Sequence, residues 1–319
     1  MSPRLLAYFS LTLTAIIWTF GSVLIKYTLN YISPLTFLFW RFLIVSLVFL
    51  PFVWKKSREA SLTLKDLFLL AGLGVLATTL TLGLLFWGTA LTSAVEAIII
   101  NAFAPILILL GGALFLREKI TRLEKIGAGL AFSGSLFEVV RPILKNDSQA
   151  LNLKGNLLVL ASVFVWAVYS LLARHYQSSD KKYDSILVTG TSFLSGFITI
   201  TPFFVVEKWL LNVKEFQAGL PLTPWWWVDN RGWFGIIFMA LLGSCIAYFT
   251  YNLGLALIEA SEAGIFTYLQ SVFAVPLAVI WLKEPLDWWL ILGSLLILAG
   301  IIITEYKGRE RRRLKPPTN

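Results

Sequence analysis

Gly88-Thr89-Ala90-Leu91-Thr92-Ser93-Ala94-Val95-Glu96-Ala97 opens a 47-residue stretch, ending at Gly134, that recurs without a gap 166 residues later, from Gly254-Leu255-Ala256-Leu257 to Gly300. Twelve of the 47 positions are identical, among them Glu96 over Glu262, Leu116 over Leu282, Glu118 over Glu284, Gly127 over Gly293 and Gly134 over Gly300. Two glutamates inside or beside apolar segments hold this register, which shared hydrophobicity alone would not produce. The chain is read as a duplicated unit whose function lies where the halves meet.

Composition says what kind of unit it is. Of the 319 residues, 14% are charged and 57% hydrophobic, and the mean hydropathy is +0.77, whereas a globular domain carries about 25% charged residues. Crossing roughly 30 Å of hydrocarbon at about 1.5 Å per residue takes about 20 apolar residues. Ten such runs can be drawn, at 6–28, 34–54, 67–91, 94–116, 123–141, 155–175, 185–206, 233–257, 262–282 and 287–306. The expected fold is an all-α membrane protein of ten transmembrane helices arranged as two inverted five-helix repeats. Residues 1–146 form the first repeat, 147–306 the second and 307–319 a basic cytoplasmic tail. The first run is too long for a signal h-region and lacks a small-x-small cleavage site, so it is read as a retained helix.

Ten spans leave both termini on one side. Placing them in the cytoplasm assigns 18 Lys and Arg to inner segments and 7, from Arg141 to Lys283, to outer ones. That asymmetry orients a multi-pass protein of the plasma (inner) membrane with cytoplasmic termini. Five spans per repeat is an odd number, so the second copy enters from the opposite face. Earlier in the chain the copies align at an offset of 148, with Trp18 over Trp166, Lys26 over Arg174 and Thr28 over Tyr176. The outer connection between about Glu207 and Gly232 absorbs the difference, and its Trp225-Trp226-Trp227 is expected at the bilayer interface. The turns Leu91-Thr92-Ser93 and Ile258-Glu259-Ala260-Ser261 make spans 3 and 4, and 8 and 9, antiparallel neighbours.

Several chemistries are disfavoured. Each Asp lies in a loop or at a span edge, and the one histidine, His175, sits at the end of span 6. An intramembrane aspartyl pair, a serine-histidine dyad and a histidine-held metal are therefore not expected. A single cysteine, Cys245, permits neither an intrachain disulfide nor a thiolate cage. The net charge of +9 belongs to membrane-flanking loops and tail, so nucleic acid is not an expected partner. No enzyme activity, metal or cofactor is expected. The expected partners are a small-molecule substrate and membrane lipid, and the chain is expected as a monomer or weak dimer.

Trp40-Arg41-Phe42 early in span 2, Leu116-Arg117-Glu118-Lys119-Ile120-Thr121 at the end of span 4 and its echo Leu282-Lys283-Glu284-Pro285-Leu286, on ten spans in two inverted copies, resemble the drug/metabolite transporter superfamily, EamA type. The resemblance covers nearly the whole chain. It implies movement of small metabolites, commonly export of amino acids or related compounds, by alternating access. Proteins of that type often carry Glu-Pro midway along span 9, where this chain reads Gln270-Ser271. A proton-binding carboxylate is absent at that place, which leaves the coupling ion open.

Intramembrane polar groups cost a few kcal/mol each unless they face a cavity or a partner. One face each of spans 1, 3, 4, 6, 8 and 9 is expected to line a central cavity, with Trp18 and Ser22 on span 1, Thr78 and Thr81 on span 3, and Asn101 on span 4. Trp166 and Tyr169 on span 6, Ser244, Tyr248 and Tyr251 on span 8, and Thr267 and Gln270 on span 9 complete it. Aromatic walls with a few amides and hydroxyls suit an amphipathic solute, its polar end met by Asn101 and Gln270 and its apolar end stacked on Trp18 or Trp166, which face each other. Each ring could equally face lipid, and each hydroxyl could bond within its own helix. Arg41, about seven residues into span 2, suits a carboxylate or phosphate, or it pairs with Glu96 or Glu138, or snorkels outward. Lys26, Glu96, Arg174 and Glu262 are gate candidates, with snorkelling the alternative for Lys26 and helix capping that for the glutamates. Pro105 and Pro276 are expected to kink spans 4 and 9. An antiporter of phosphorylated sugars or nucleotide sugars is the rival function, and it would require several buried Lys or Arg.

Overall fold

The computed structural model describes residues 3–116, 150–179, 182–217, 226–258 and 260–283, together with Pro224 and scattered positions between 122 and 134 and between 288 and 303. Spans 5 and 10 and the basic tail lie largely outside the described residues. The described residues contain no strand and form the helices α1 (Pro3–Leu29), α2 (Pro34–Glu59), α3 (Leu64–Leu91), α4 (Ala94–Phe115), α5 (Ala150–Ser179), α6 (Ser185–Gln217), α7 (Asn230–Leu257) and α8 (Ala260–Leu282). Seven are long and apolar enough to cross a membrane, namely α1 to α4, α7, and the Leu153–Ser179 and Ser185–Asn212 portions of α5 and α6.

Most helices begin where the sequence supplies a cap. The Ser33 hydroxyl accepts from the Thr36 N–H at 3.1 Å with Pro34 in the first turn. Thr63 with Asp66, and Ser93 with Glu96, make reciprocal capping boxes, and Asp229 accepts from the Arg231 N–H. These devices satisfy amides that neither lipid nor an apolar neighbour could. Several helices outrun the apolar runs drawn from sequence, α6 by eleven residues at its end. A helix carries its backbone bonds with it and can project beyond the hydrocarbon, ending in charge as α2 does at Lys55, Lys56, Arg58 and Glu59.

The bundle packs in matched pairs. α1 lies against α7 and α8, α5 against α3 and α4, and α2 runs along α6. The α3–α5 crossing is close because two glycines meet there. A Cβ on Gly88 would stand 2.8 Å from the Gly155 carbonyl oxygen and from the Val159 nitrogen, and one on Gly155 would stand 2.9 Å from the Gly88 oxygen. Two helices are interrupted by a π-helical segment, Val75–Leu80 in α3 and Leu241–Ile246 in α7. These segments are 166 residues apart, the offset of the sequence repeat. The Pro105 kink is present, since α4 breaks between Asn101 and Ala104 and Pro105 sits in the first turn of its second half. Pro276, by contrast, lies inside an uninterrupted α8.

Candidate functional site

Residues of α1, α3, α4 and α7, with Arg41, Trp166 and Gln270, line a cavity of about 120 Å³, room for several waters or a small solute. Its aromatic wall is one cluster. Trp18 of α1 and Trp166 of α5 meet edge to face with centroids 5.7 Å apart, and Tyr248 of α7 lies 5.5 Å from the first ring and 5.6 Å from the second. The expectation that the two tryptophans face each other across the cavity is corrected here. They touch and form a single wall, the two rings meeting across the gap between their helices.

The π-helical segments hold this wall in place. The Trp18 indole N–H donates to the Gly243 carbonyl at 3.1 Å, and the Tyr248 hydroxyl donates to the Ala77 carbonyl at 3.2 Å. Ala77 and Gly243 are themselves 166 residues apart. A π turn disturbs the regular ladder, so its carbonyls can accept bonds from outside the helix. A buried ring that also carries a donor thus has its polar atom satisfied and its orientation set.

Of the other expected lining residues, Ser22, Arg41, Thr81, Asn101 and Gln270 reach the cavity. Four do not line it. The Thr78 hydroxyl is buried between the Gly74 and Ser192 carbonyls, the Tyr169 hydroxyl donates to Asn252 at 2.8 Å, the Tyr251 hydroxyl bonds Ser170 at 2.9 Å, and the Ser244 hydroxyl donates to the Met239 carbonyl. Tyr251 still stacks behind the wall, 5.0 Å from Trp166. Thr267 lies on α8, with its side chain outside the described residues. The sequence reading missed the apolar lining, Met239, Leu82, Leu85 and Ile98. Nothing distinguishes these residues from lipid-facing ones in helices that are apolar all round.

Arg41 is 1% exposed. Its Nε donates to the Ser244 hydroxyl at 2.7 Å, its guanidinium lies 5.6 Å from the Phe86 ring centroid, and its Nη1 is buried without a hydrogen-bond partner. It pairs with no carboxylate among the described residues, and Glu138 lies outside them.

Lys26 and Arg174 take matching positions. The Lys26 ammonium donates to the Thr89 carbonyl at 3.0 Å and the Thr92 carbonyl at 2.5 Å, at the end of α3. The Arg174 Nη1 donates to the Leu255 and Ala256 carbonyls at 2.8 and 2.9 Å, at the end of α7. Each cation meets helix-terminal carbonyls that have no intrahelical donor, so Lys26 turns inward instead of snorkelling. Glu96, fully buried, accepts from the Ser93 N–H at 3.3 Å and from the Thr92 hydroxyl. The Thr92 hydroxyl also lies 2.6 Å from the Asn156 amide. One hydroxyl proton cannot serve both, so with Thr92 donating to Glu96 the Asn156 amide presents its NH₂. The capping reading of Glu96 describes this geometry. The side chain of Glu262 lies outside the described residues.

An α-helical bundle with seven helices fit to cross a membrane, closed around a small cavity with an aromatic wall, defines a multi-pass membrane protein with an internal solute-sized site. The EamA-like transporter family matches residues 5–139 and 153–306, and the chain belongs to that family. It is 27% identical over 297 residues to an uncharacterized transporter of Archaeoglobus fulgidus, covering 93% of this chain and 98% of that one. It is 27% identical to the uncharacterized transporter YetK of Bacillus subtilis, over 85% of this chain and 78% of that one. A probable amino-acid metabolite efflux pump of Salmonella typhimurium is 24% identical, over 94% of this chain and 95% of that one. A solved crystal structure 16% identical in sequence superposes with a TM-score of 0.64, covering 97% of this chain and 99% of that one, so the fold is shared.

Proposed function

We propose that the chain is a secondary transporter that exports small amphipathic metabolites, amino acids among them, across the plasma membrane by alternating access between two inverted five-helix repeats, 1–146 and 147–306. The observation that carries this reading is the cavity itself, where rings from α1, α5 and α7 meet the buried Arg41 and the neutral Asn101 and Gln270. The matched π-helical segments and the two cation-to-carbonyl clamps support the repeat. The Lys26 clamp secures the α3–α4 turn and the Arg174 clamp the α7–α8 turn. Released in alternation, with Glu96 and Glu262 at the adjoining helix starts, they would open one end at a time. The likeness to the probable amino-acid metabolite efflux pump of Salmonella typhimurium supports amino-acid metabolites as solutes. The rival antiporter of phosphorylated sugars or nucleotide sugars would carry two or more negative charges, and Arg41 is the one cation among the described cavity residues.

Flux tests the reading. Proteoliposomes containing the protein are expected to move ring-bearing or aliphatic amino acids, and Trp18→Ala and Trp166→Ala are expected to weaken those solutes by about 0.5–1.5 kcal/mol while sparing small polar ones. Loss of every solute equally, at lowered abundance, would mark the pair as packing residues and move the site toward Tyr251 and Gln270. Topology has a separate test. In a Cys245→Ser background, cysteines at Ser57 and Ser148 are expected to react with impermeant maleimide from opposite sides of intact cells, cytoplasmic for Ser57. Labelling from one side would break the inverted arrangement.

A further inference from the structure

We infer that, among the small amphipathic solutes it carries, the cavity prefers monocarboxylates with an uncharged, apolar body to zwitterionic amino acids of the same body, and that it excludes amines. The inference rests on the transporter reading and specifies the solute of the same cavity. Its first support is Arg41, a buried guanidinium on the cavity wall with one donor bound to Ser244 and Nη1 unpartnered. A charge buried without a partner is costly unless an opposite charge meets it. Among the described residues no carboxylate supplies that charge, and a carboxylate on the solute would. With Nε engaged by Ser244, the two Nη groups are the donors left for the planar oxygens of a carboxylate.

The second support is the sign of the rest of the wall. Apart from Arg41, the polar side chains among the described lining residues, such as Ser22, Thr81, Thr89, Asn101 and Gln270, are neutral. The Trp18 and Tyr248 donors are already engaged by backbone carbonyls. An ammonium group entering here would lose its hydration, find only neutral acceptors and repel Arg41. A second negative charge would find no second cation among the described lining residues. What remains favourable is one carboxylate on Arg41 and an apolar body against Trp18, Trp166 and Tyr248.

Three probes sharing a phenyl ring separate the charges: 3-phenylpropionate, phenylalanine and phenethylammonium. With the full-length protein in lipid nanodiscs at neutral pH, calorimetric titration is expected to find the anion bound at least about tenfold more tightly than the zwitterion, and the amine unbound. Arg41→Gln is expected to bring the anion down to the level of phenylalanine. Phenylalanine binding as tightly as the anion, no binding by any probe, or an anion advantage surviving Arg41→Gln would each overturn the inference. Should Arg41→Gln fail to fold, the ranking in the unaltered protein decides alone. Flux is read separately in proteoliposomes. The expected ranking without flux would sink the transporter reading and leave the anion site standing, and flux of phenylalanine above phenylpropionate would do the reverse.

Discussion

Replacing Gly88 with alanine is expected to destabilise the protein by about 1–3 kcal/mol, seen as an apparent melting temperature lowered by several degrees in detergent or nanodiscs. The new methyl would meet the Gly155 oxygen and the Val159 nitrogen, each at 2.8 Å, and those backbone atoms cannot swing aside. Only a shift of α3 away from α5 relieves the contact, and that shift would pull Trp166 from the wall it shares with Trp18. Gly83→Ala is the control on the same helix. A Cβ there meets nothing within 4 Å, and alanine favours a helix over glycine by about 0.5–1 kcal/mol. Gly83→Ala is therefore expected to be neutral or slightly stabilising. Gly254→Ala, at the matching place in the second half, meets only Leu11 side-chain carbons and is expected to cost less. Equal melting temperatures for Gly88→Ala and Gly83→Ala would refute the close crossing.

Glu96→Ala is expected to cost about 2–4 kcal/mol. It removes the acceptor of the Ser93 N–H and of the Thr92 hydroxyl, and leaves Thr92 and Asn156, both buried, with a broken network. Glu96→Gln retains one oxygen that can accept from the Ser93 N–H, so it is expected to lose much less. Thermal unfolding of the two variants separates the capping role from a role in which the charge itself is needed. If Glu96→Gln keeps full stability yet loses flux, the charge is used in transport; if Glu96→Ala also keeps full stability, the capping account fails.

How much of this was legible in the residues depends on the kind of signal. The start of α4 was readable at Ser93 and Glu96, because capping chemistry is confined to four consecutive residues, whereas α3 and α7 begin three residues before the runs drawn for them, at the caps Thr63 and Asp229. Grouping on one face was readable in part. The helical spacing of Trp18 and Ser22 places both on the cavity wall, whereas of Ser244, Tyr248 and Tyr251 it is Tyr248 that lines the cavity, the π segment ending at Ile246 having shifted the register. Which way a stripe points was not readable. In lipid the outside of a helix is as apolar as its contacts, so Tyr169, Tyr251 and Thr78 carry the same local pattern as Trp166, Tyr248 and Thr81, yet the first three lie off the cavity and the second three line it. The inward turn of Lys26 was hidden for a related reason. A long aliphatic stem reaches a headgroup or a neighbouring helix end equally well, and only packing decides between them. Nothing in Val75-Leu76-Ala77-Thr78-Thr79-Leu80 announces a π turn, because that widening is a response to partners beyond the segment.

Those widened turns also set a rule for chain length. A π turn amounts to a single residue spliced into an α-helix, and one residue corresponds to a rotation of about 100° about the axis. Thr81 to Leu91, and Ala247 to Leu257, therefore stand where they do by virtue of one extra position upstream. A one-residue deletion in Val75–Leu80 would restore a regular α-helix and keep Thr81, Leu82 and Leu85 on their face, whereas the same deletion in the regular turns before it would rotate them together by about 100° away from the cavity. The stretch around the end of α6 follows a different rule: the link 218–229 is eight residues longer than 60–63 between α2 and α3, and α6 is seven residues longer than α2, which together take up most of the 18 residues by which the two offsets, 148 and 166, differ. In this chain length varies freely between helices and is quantised within them.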